Sequence, residues 1–260
     1  MADYATPVGI IVALVAILGS MVMEGGNPAT LISPTSIILV IGGTIGAAMA
    51  GTLLSDVKGM MPVVKNAITS KVDSPEDSIT RMVAMAETAR RDGLLALEEA
   101  AQEVEDPFFR KAVEMAVDGI DGEQIRSVLE KEIASMQARH RQGAKFFHNM
   151  GGYAPTIGII GTVIGLIHVL GNLSSPEKLG SLIGAAFTAT LWGVMSANVA
   201  WIPIENKLKR LSEIEVHNKL LILDGILAIQ AGDSPRMVEQ HLLTYVAPKD
   251  RVSERGFKAA

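Results

Sequence analysis

Long apolar runs alternate with charged stretches along this chain. Four runs contain no Asp, Glu, Lys or Arg, and they cover residues 4–23, 32–55, 146–176 and 179–204. A helix needs roughly 20 such residues to cross a bilayer. The pattern therefore predicts four transmembrane helices, at about 7–23, 34–54, 152–171 and 180–203. No basic residue precedes the first run, so we expect a retained span rather than a cleaved signal peptide.

The charged stretches between the runs predict the topology. The chain divides into a first membrane segment at 1–54, a central segment at 55–145, a second membrane segment at 146–203 and a C-terminal segment at 204–260. Of the 23 Lys and Arg residues, 13 lie in the central segment and nine in the C-terminal segment. Those nearest the predicted spans follow the same division, namely Lys58, Lys65, Lys71, Arg139, Arg141, Lys145, Lys207, Lys209 and Arg210. Because basic residues concentrate on the cytoplasmic side, we expect both segments and both termini in the cytoplasm.

The two charged segments carry helix caps and apolar positions at helical spacing. We expect helices from Ser74 to Gly93, over 94–104, from Asp106 to Gly119 and from about Asp121 towards the third span. One apolar stripe on the last of these comprises Ile125, Val128, Leu129, Ile133 and Met136. After the fourth span we expect a helix over 205–230, a short helix carrying Val238, Leu242 and Tyr245, and a loose tail from Lys249. The predicted fold class is all-α, a polytopic membrane protein with four transmembrane helices and a helical cytoplasmic domain.

Composition excludes several classes of function. Apolar residues make up 48% of the chain, charged residues 20%, and the mean hydropathy is +0.32, a balance that argues against a soluble protein. Without Cys, the chain has no thiolate chemistry and no thiolate-bound metal. A net charge of −5 and an aromatic content of 4% disfavour nucleic acid as a partner. No nucleophile–base motif or metal-ligand cluster occurs, so we expect no enzymatic activity, no metal and no cofactor.

The four predicted spans contain no Asp, Glu, Lys or Arg. Moving ions through hydrocarbon generally requires an ionisable group inside it. The chain alone is therefore a poor ion carrier, and if it moves ions, a partner subunit must supply the carboxylate. The hydroxyls of Thr162, Thr188 and Thr190 could help to coordinate a cation or hydrogen-bond a protonated acid. Threonines in spans usually bond to their own preceding turn, so both interpretations stay open.

Small residues recur four positions apart in the spans and permit close helix packing. They include Gly9 with Ala13, Gly42 with Gly46 and Ala50, and Gly161 with Gly165. For the first two spans we expect this packing to lie inside one monomer. Pro155 lacks a backbone N–H, so it either bends the third span and leaves a polar notch, or simply marks the helix entrance.

Four segments resemble the A subunit of the bacterial flagellar stator, the MotA/PomA family. They are ARRDGLLALEE at 89–99, GGYAPTIGIIGTVIG at 151–165, WIPIENKL at 201–208 and DGILAIQ at 224–230, and the resemblance covers nearly the whole chain. It implies an ion-driven motor in the inner membrane, in which five A subunits surround two single-span B subunits of the MotB/PomB type. Each B subunit would carry the ion-binding Asp, which accounts for the missing carboxylate. The A subunits would push on the rotor switch protein FliG.

The resemblance also implies roles for individual residues. These are rotor contact for Arg90, Arg91, Glu98 and Glu99, the ion path for Thr162 and Thr190, and conformational coupling for Pro155 and Pro203. The residues alone favour a plainer interpretation of the arginines, since cations suit the end of a helix. The translocated ion stays open between H⁺ and Na⁺, with a slight preference for H⁺. Sodium-type members tend to have Thr where this chain has Ala189, whereas proton-type members often lack the threonine that matches Thr162.

The nearest alternative is the related energising subunit of ExbB/TolQ-like outer-membrane import or Tol systems. Such subunits share the Pro and Gly-Thr character of the third span, but they normally have three spans and a different cytoplasmic layout. A membrane enzyme is disfavoured because its motifs are missing, and a carrier that acts alone is disfavoured by the uncharged spans.

Overall fold

The computed structural model describes residues 5–59, 74–102, 104–248 and 251. Within these ranges every regular element is helical, which confirms the predicted all-α class. The chain forms two compact units: unit 1 comprises Met1–Lys71 and Arg139–Leu211, and unit 2 comprises Val72–Ala138 and Ser212–Ala260. The predicted loose tail from Lys249, apart from Arg251, and the basic residues Lys65 and Lys71 lie outside the described residues.

The described residues form ten α-helices. In chain order they are α1 Ala5–Met23, α2 Pro34–Ala50, α3 Leu54–Lys58, α4 Pro75–Asp92, α5 Leu97–Gln102, α6 Pro107–Val117, α7 Gly122–Gly171, α8 Pro176–Ser196, α9 Ile202–Gln230 and α10 Pro235–Leu242. A π-helical segment, Ala197–Trp201, joins α8 to α9, so that helical structure is continuous over Pro176–Gln230. Among the described residues, Ala5–Met23, Gly122–Gly171 and Pro176–Gln230 are long and apolar enough to cross a membrane, and Pro34–Ala50 is a shorter apolar helix.

Helix α2 shows why the second apolar run is not one regular helix. Ser33 caps its start by accepting a hydrogen bond from the Ser36 N–H at 3.4 Å. The residues Ile38–Gly42 then adopt π-helical spacing. The helix ends at Ala50, before the expected boundary at 54; Gly51 follows with φ −93° and ψ 12°, and Leu53 is extended.

The face of α2 that packs inside unit 1 differs from the expected one. Its buried residues are Ser36, Val40, Thr44 and Ala48, spaced four apart. A methyl group added at Gly42 or Gly46 would meet no described atom within 4 Å, and the same holds for Gly9 in α1. The expectation that these small residues pack inside one monomer is therefore wrong, because they lie on outward faces of their helices.

Buried apolar side chains of α4, α5, α6 and α10, together with neighbouring parts of α7 and α9, form the core of unit 2. The Asp106 carboxylate caps α6 by accepting from the Phe108 N–H at 2.9 Å, as the sequence predicts. Gly93 ends α4 with φ 87°, a conformation that side chains with a Cβ rarely adopt. Ser74 precedes α4 as predicted, but its hydroxyl bonds to the Glu76 carboxylate and does not cap the helix.

The predicted apolar stripe on α7 is wrong at one position. Ile125, Leu129, Ile133 and Met136 are buried, whereas Val128 is 40% exposed. At 100° per residue, Val128 lies roughly a quarter turn from the centre of the face that the other four define.

Candidate ion path and rotor-contact surface

Helices α7 and α8 approach each other so closely that only glycine fits at the contact. A Cβ added at Gly158 would lie 2.9 Å from the Ala189 carbonyl oxygen. One added at Gly161 would lie 2.6 Å from the Ala189 Cβ, and one at Gly165 would lie 2.5 Å from the Ala186 Cβ. The small residues predicted in the third span therefore do pack inside the chain.

Two hydroxyl groups meet at this glycine contact. Thr162 Oγ1 of α7 and Thr190 Oγ1 of α8 are hydrogen-bonded to each other. The Thr162 hydroxyl also lies 3.2 Å from the Gly158 carbonyl oxygen and 3.1 Å from that of Ala186, and the Thr190 hydroxyl lies 3.4 Å from the Gly158 oxygen. The structure thus brings together the two threonines that the resemblance assigns to the ion path.

Thr188 does not join this pair. Its hydroxyl donates to the Gly184 carbonyl oxygen at 2.8 Å, within its own helix, and its side chain is buried. It therefore follows the ordinary behaviour of threonine in a span. Within the described ranges, no cluster of three His, Asp or Glu side chains could hold a metal ion.

The two candidate coupling prolines lie in different local settings. Pro155 is inside α7, which remains a single helix across it. Its missing N–H removes the usual partner of the Gly151 carbonyl oxygen. Pro203 is the second residue of α9, and α9 begins directly after the π-helical segment. Such segments often mark functional positions in helices.

Glu205 is a buried carboxylate at the start of α9 that the sequence analysis missed. Its side chain is 5% exposed, and its Oε1 lies 3.1 Å from His148 Nδ1 of α7 and 2.6 Å from Lys209 Nζ. Burial raises the pKa of the Glu205 carboxyl, but the hydrogen bonds from Lys209 and His148 outweigh burial and bring the pKa below its ordinary value. The spacing of four residues between Glu205 and Lys209 indicates their ion pair from the sequence, because residues at this spacing are neighbours on a helix. The contact between Glu205 and His148 depends on the fold.

The candidate rotor-contact residues are exposed at the ends of two consecutive helices of unit 2. The arginines form the last turn of α4 and the glutamates the first turn of α5. Leu95 lies between them and is 73% exposed, an apolar side chain that the sequence analysis did not single out. We call the exposed set the loop surface; it comprises Arg90, Arg91, Leu95, Glu98 and Glu99.

Three helices long and apolar enough to cross a membrane, with a pair of hydroxyls between the uncharged predicted spans of α7 and α8, are the features of a helical membrane protein. Two protein-family models match the chain. The model described as "Motility protein A N-terminal" matches residues 7–93, and the model described as "MotA/TolQ/ExbB proton channel family" matches residues 100–219. The chain belongs to the MotA/TolQ/ExbB proton channel family.

The relatives are similar over almost their full length. Motility protein A of Bacillus subtilis (strain 168) is 38% identical over 98% of this chain and 95% of its own. The structure of C. jejuni MotAB has a TM-score of 0.93 at 31% identity, covering 97% of this chain and 99% of that chain. The flagellar MotAB stator complex from Bacillus subtilis has a TM-score of 0.90 at 38% identity, covering 95% and 98%.

These similarities confirm the resemblance that the sequence predicts. The protein is an ion-channel subunit of a flagellar stator, with a polytopic helical membrane part and a helical cytoplasmic domain. The match to the motility-protein model over residues 7–93 favours the flagellar stator subunit and not the ExbB/TolQ alternative. The family consists of channel and motor subunits and is not a known family of enzymes.

Proposed function

We propose that this subunit forms the wall of an ion path around a single-span partner that carries the ion-binding Asp. Both similar solved structures are MotAB complexes, and this supports a B-type partner for this chain as well. The predicted spans hold no Asp, Glu, Lys or Arg, so the charge that binds the ion comes from that partner. The proposed assembly has five copies of this chain around two B subunits in the inner membrane, with both termini in the cytoplasm.

The observation that carries the proposal is the Thr162–Thr190 pair. It places two hydroxyl oxygens where the uncharged predicted spans of α7 and α8 are in contact. Hydroxyl oxygens can replace part of the hydration shell of a cation, or bond to a carboxyl group that has just taken up a proton. The pair therefore lines the path, while the partner's carboxylate binds the ion.

We assign conformational coupling to Pro155 and Pro203 because each interrupts the regular backbone bonding of a predicted span. The passage of one charge through 100 mV releases about 2.3 kcal/mol, enough to bias a change between two helix conformations. The exposed loop surface then presses against the rotor switch protein FliG. Exposed ion pairs contribute only about 0–1 kcal/mol each, which suits a contact that forms and breaks repeatedly.

Replacement of the paired hydroxyls tests the ion path. We expect Thr190→Val or Thr162→Val, expressed with the B subunit, to abolish ion flux and swimming while the complex still assembles. Thr188→Val is the matched control, because the Thr188 hydroxyl donates to the Gly184 carbonyl oxygen of its own helix. Thr190→Ser retains the hydroxyl and should restore flux. Normal flux through both valine variants would refute the assignment of these threonines.

The identity of the ion needs a separate measurement. We favour H⁺, and swimming speed measured while the sodium and proton gradients are clamped independently distinguishes the two ions. Speed that follows the sodium gradient at constant proton gradient would contradict our preference.

Charge reversal tests the loop surface. We expect Arg90→Glu or Glu98→Lys to reduce motor torque without reducing ion flux, because these side chains are exposed in unit 2 and lie outside the predicted spans. Arg81→Glu is the matched control on α4, since Arg81 is also exposed but lies about 180° around the helix from Arg90. Unchanged torque in the double variant of Arg90 and Glu98 would exclude this surface from rotor contact.

A further inference from the structure

The indole N–H of Trp201 is a buried hydrogen-bond donor without an acceptor. Trp201 is the last residue of the π-helical segment between α8 and α9, and its Nε1 atom is buried and forms no hydrogen bond with any residue that the structure describes. The other tryptophan, Trp192, donates its N–H to the Leu31 carbonyl oxygen at 2.8 Å. A buried donor without an acceptor raises the free energy of the conformation in which it occurs, so that it requires an explanation.

The indole lies at a close contact between α7 and the start of α9. Trp201 packs against a cluster that contains Phe147 and Met150 of α7. The next residue, Ile202, lies so near to α7 that a Cβ added at Gly151 would be 2.8 Å from its Cγ1 and 3.9 Å from its backbone nitrogen. The indole ring therefore packs beside the backbone of α7 at the level of Gly151.

Gly151 carries a complementary group, a carbonyl oxygen without its usual donor. In a regular helix this oxygen accepts from the N–H four residues further on, but that residue is Pro155, which has no N–H. An unpaired donor on one helix and an acceptor that lacks its helical partner on the other therefore occur at the same contact. Pro203 follows Trp201 by two positions, so both candidate coupling prolines lie within four residues of this contact in sequence.

We infer that Trp201 is a positioning residue for the coupling of ion passage to helix movement, and that its indole N–H bonds to the Gly151 carbonyl oxygen in a second conformation, formed when an ion neutralises the partner's carboxylate. The inference rests on the proposed coupling role of Pro155 and Pro203. An indole N–H donates and does not accept, so a free carbonyl oxygen is the partner that it fits. The bond gained in the second conformation favours the change of helix packing at the step where the ion binds.

Thr44 of α2 provides a competing donor. Its side chain is fully buried, and its hydroxyl forms no hydrogen bond with any described residue. The neighbouring Gly43 packs against α7, where an added Cβ would lie 3.1 Å from Ile157 Cγ2. Ile157 is six residues beyond Gly151, about 9 Å along the helix, so the contacts favour the indole as the donor.

Ion flux through the complex with its B subunit, measured in vesicles, tests the role of the N–H. We expect Trp201→Phe to lower flux about two- to tenfold, the effect of one lost hydrogen bond. Benzothienylalanine at position 201, in which sulfur replaces the indole N–H, keeps the double ring and should lower flux equally. Trp192→Phe is the matched control for stability. Only this variant breaks an existing bond, so its melting temperature should fall further than that of Trp201→Phe.

Fluorine NMR of 5-fluorotryptophan gives a signal that a purely structural role of Trp201 would not change. The chain has two tryptophans, so a complex whose B subunit has none gives two signals. We compare B subunits that carry either the ion-binding Asp or Asn, which is neutral and has a similar shape. The Trp201 signal should shift between the two complexes, whereas that of Trp192, which is already bonded, should not. In Pro155→Ala the restored N–H occupies the Gly151 oxygen, and the Trp201 signal should then stay unchanged.

The outcomes separate this inference from the proposal on which it rests. If Pro155→Ala lowers flux while Trp201→Phe has normal flux and the Trp201 signal does not shift, the inference is wrong and the coupling role of the prolines stands. If Pro155→Ala has normal flux, the coupling proposal fails and the inference fails with it. Normal flux with benzothienylalanine would attribute the effect of Trp201→Phe to the smaller ring, and low flux in Thr44→Val with normal flux in Trp201→Phe would assign the bond to Thr44. Either result would overturn the inference.

Discussion

Gly158→Ala adds a single methyl group where α7 packs directly against the backbone of α8. The new Cβ would lie 2.9 Å from the Ala189 carbonyl oxygen, 3.1 Å from the Thr190 Cα and 3.2 Å from the Gly193 Cα. All three are backbone atoms, so no side-chain rotation relieves the overlap. Because ordinary contacts of a Cβ begin near 3.4 Å, the helices must separate by up to half an ångström.

The free energy of this change has two opposing parts. Overpacking of this kind costs about 1–3 kcal/mol. Alanine is the better helix former by about 1 kcal/mol. We therefore expect Gly158→Ala to destabilise the chain by about 0–2 kcal/mol. Gly184→Ala, on α8, is the matched control, because its new methyl group meets no described atom within 4 Å and should leave stability unchanged or raise it.

Function should suffer more than stability, because the displaced Thr190 backbone carries one member of the hydroxyl pair. Thermal unfolding of the purified protein in detergent, followed by tryptophan fluorescence, measures the first effect. Ion flux of the complex with its B subunit measures the second. We expect reduced flux in Gly158→Ala and normal flux in Gly184→Ala. Wild-type stability and flux in Gly158→Ala would show that close packing of α7 against α8 is not required.

Three further predictions concern other parts of the chain. Because the pKa of Glu205 lies below its ordinary 4.5, the bonds to this carboxylate stabilise the fold above that pH, and the effect is lost as the pH falls. Glu205→Gln should lower the free energy of unfolding by about 1–3 kcal/mol near neutral pH and should reduce the fall in melting temperature as the pH drops below neutral. An unchanged dependence of the melting temperature on pH would contradict this. Burial and the bond to Asp224 raise the pKa of Tyr245 to about 12, so the stability from its neutral phenol is present below pH 10 and lost as the pH rises towards 12. Tyr245→Phe should cost about 0.5–1.5 kcal/mol in chemical denaturation and remove that alkaline loss. Gly46→Leu, on the outward face of α2, should leave the isolated chain folded but reduce the yield of complex in size-exclusion chromatography, and an unchanged yield would argue against a subunit contact there.

Local chemistry explains which parts of the fold could be predicted from the sequence. The cap at Asp106 and the stop at Gly93 follow from single residues and their immediate neighbours, and both are confirmed. The end of α2 at Ala50 was not predicted, because an uncharged run shows that a segment can be buried in lipid but not where its helix stops. The outward direction of Gly42 was missed because spacing identifies a face without identifying what it faces.

The site depends more on contacts between distant residues. The resemblance, rather than the spacing, singled out Thr162 and Thr190, which lie on different helices. Glu205 lies within the segment 201–208 that carries the resemblance, but the resemblance assigned it no role, and its contact with His148 spans 57 positions. The unpaired N–H of Trp201 was missed as well, because a sequence does not show which buried donors the fold leaves without an acceptor.

The hydroxyl protons of Thr162 and Thr190 are already committed to backbone carbonyl oxygens and to each other. Each hydroxyl has a single proton, so any third group that approaches meets only lone pairs. A hydronium ion or a partly dehydrated metal cation finds acceptors there, whereas chloride finds no donor. The same few bonds that join two helices would therefore exclude anions without any charged residue in the wall.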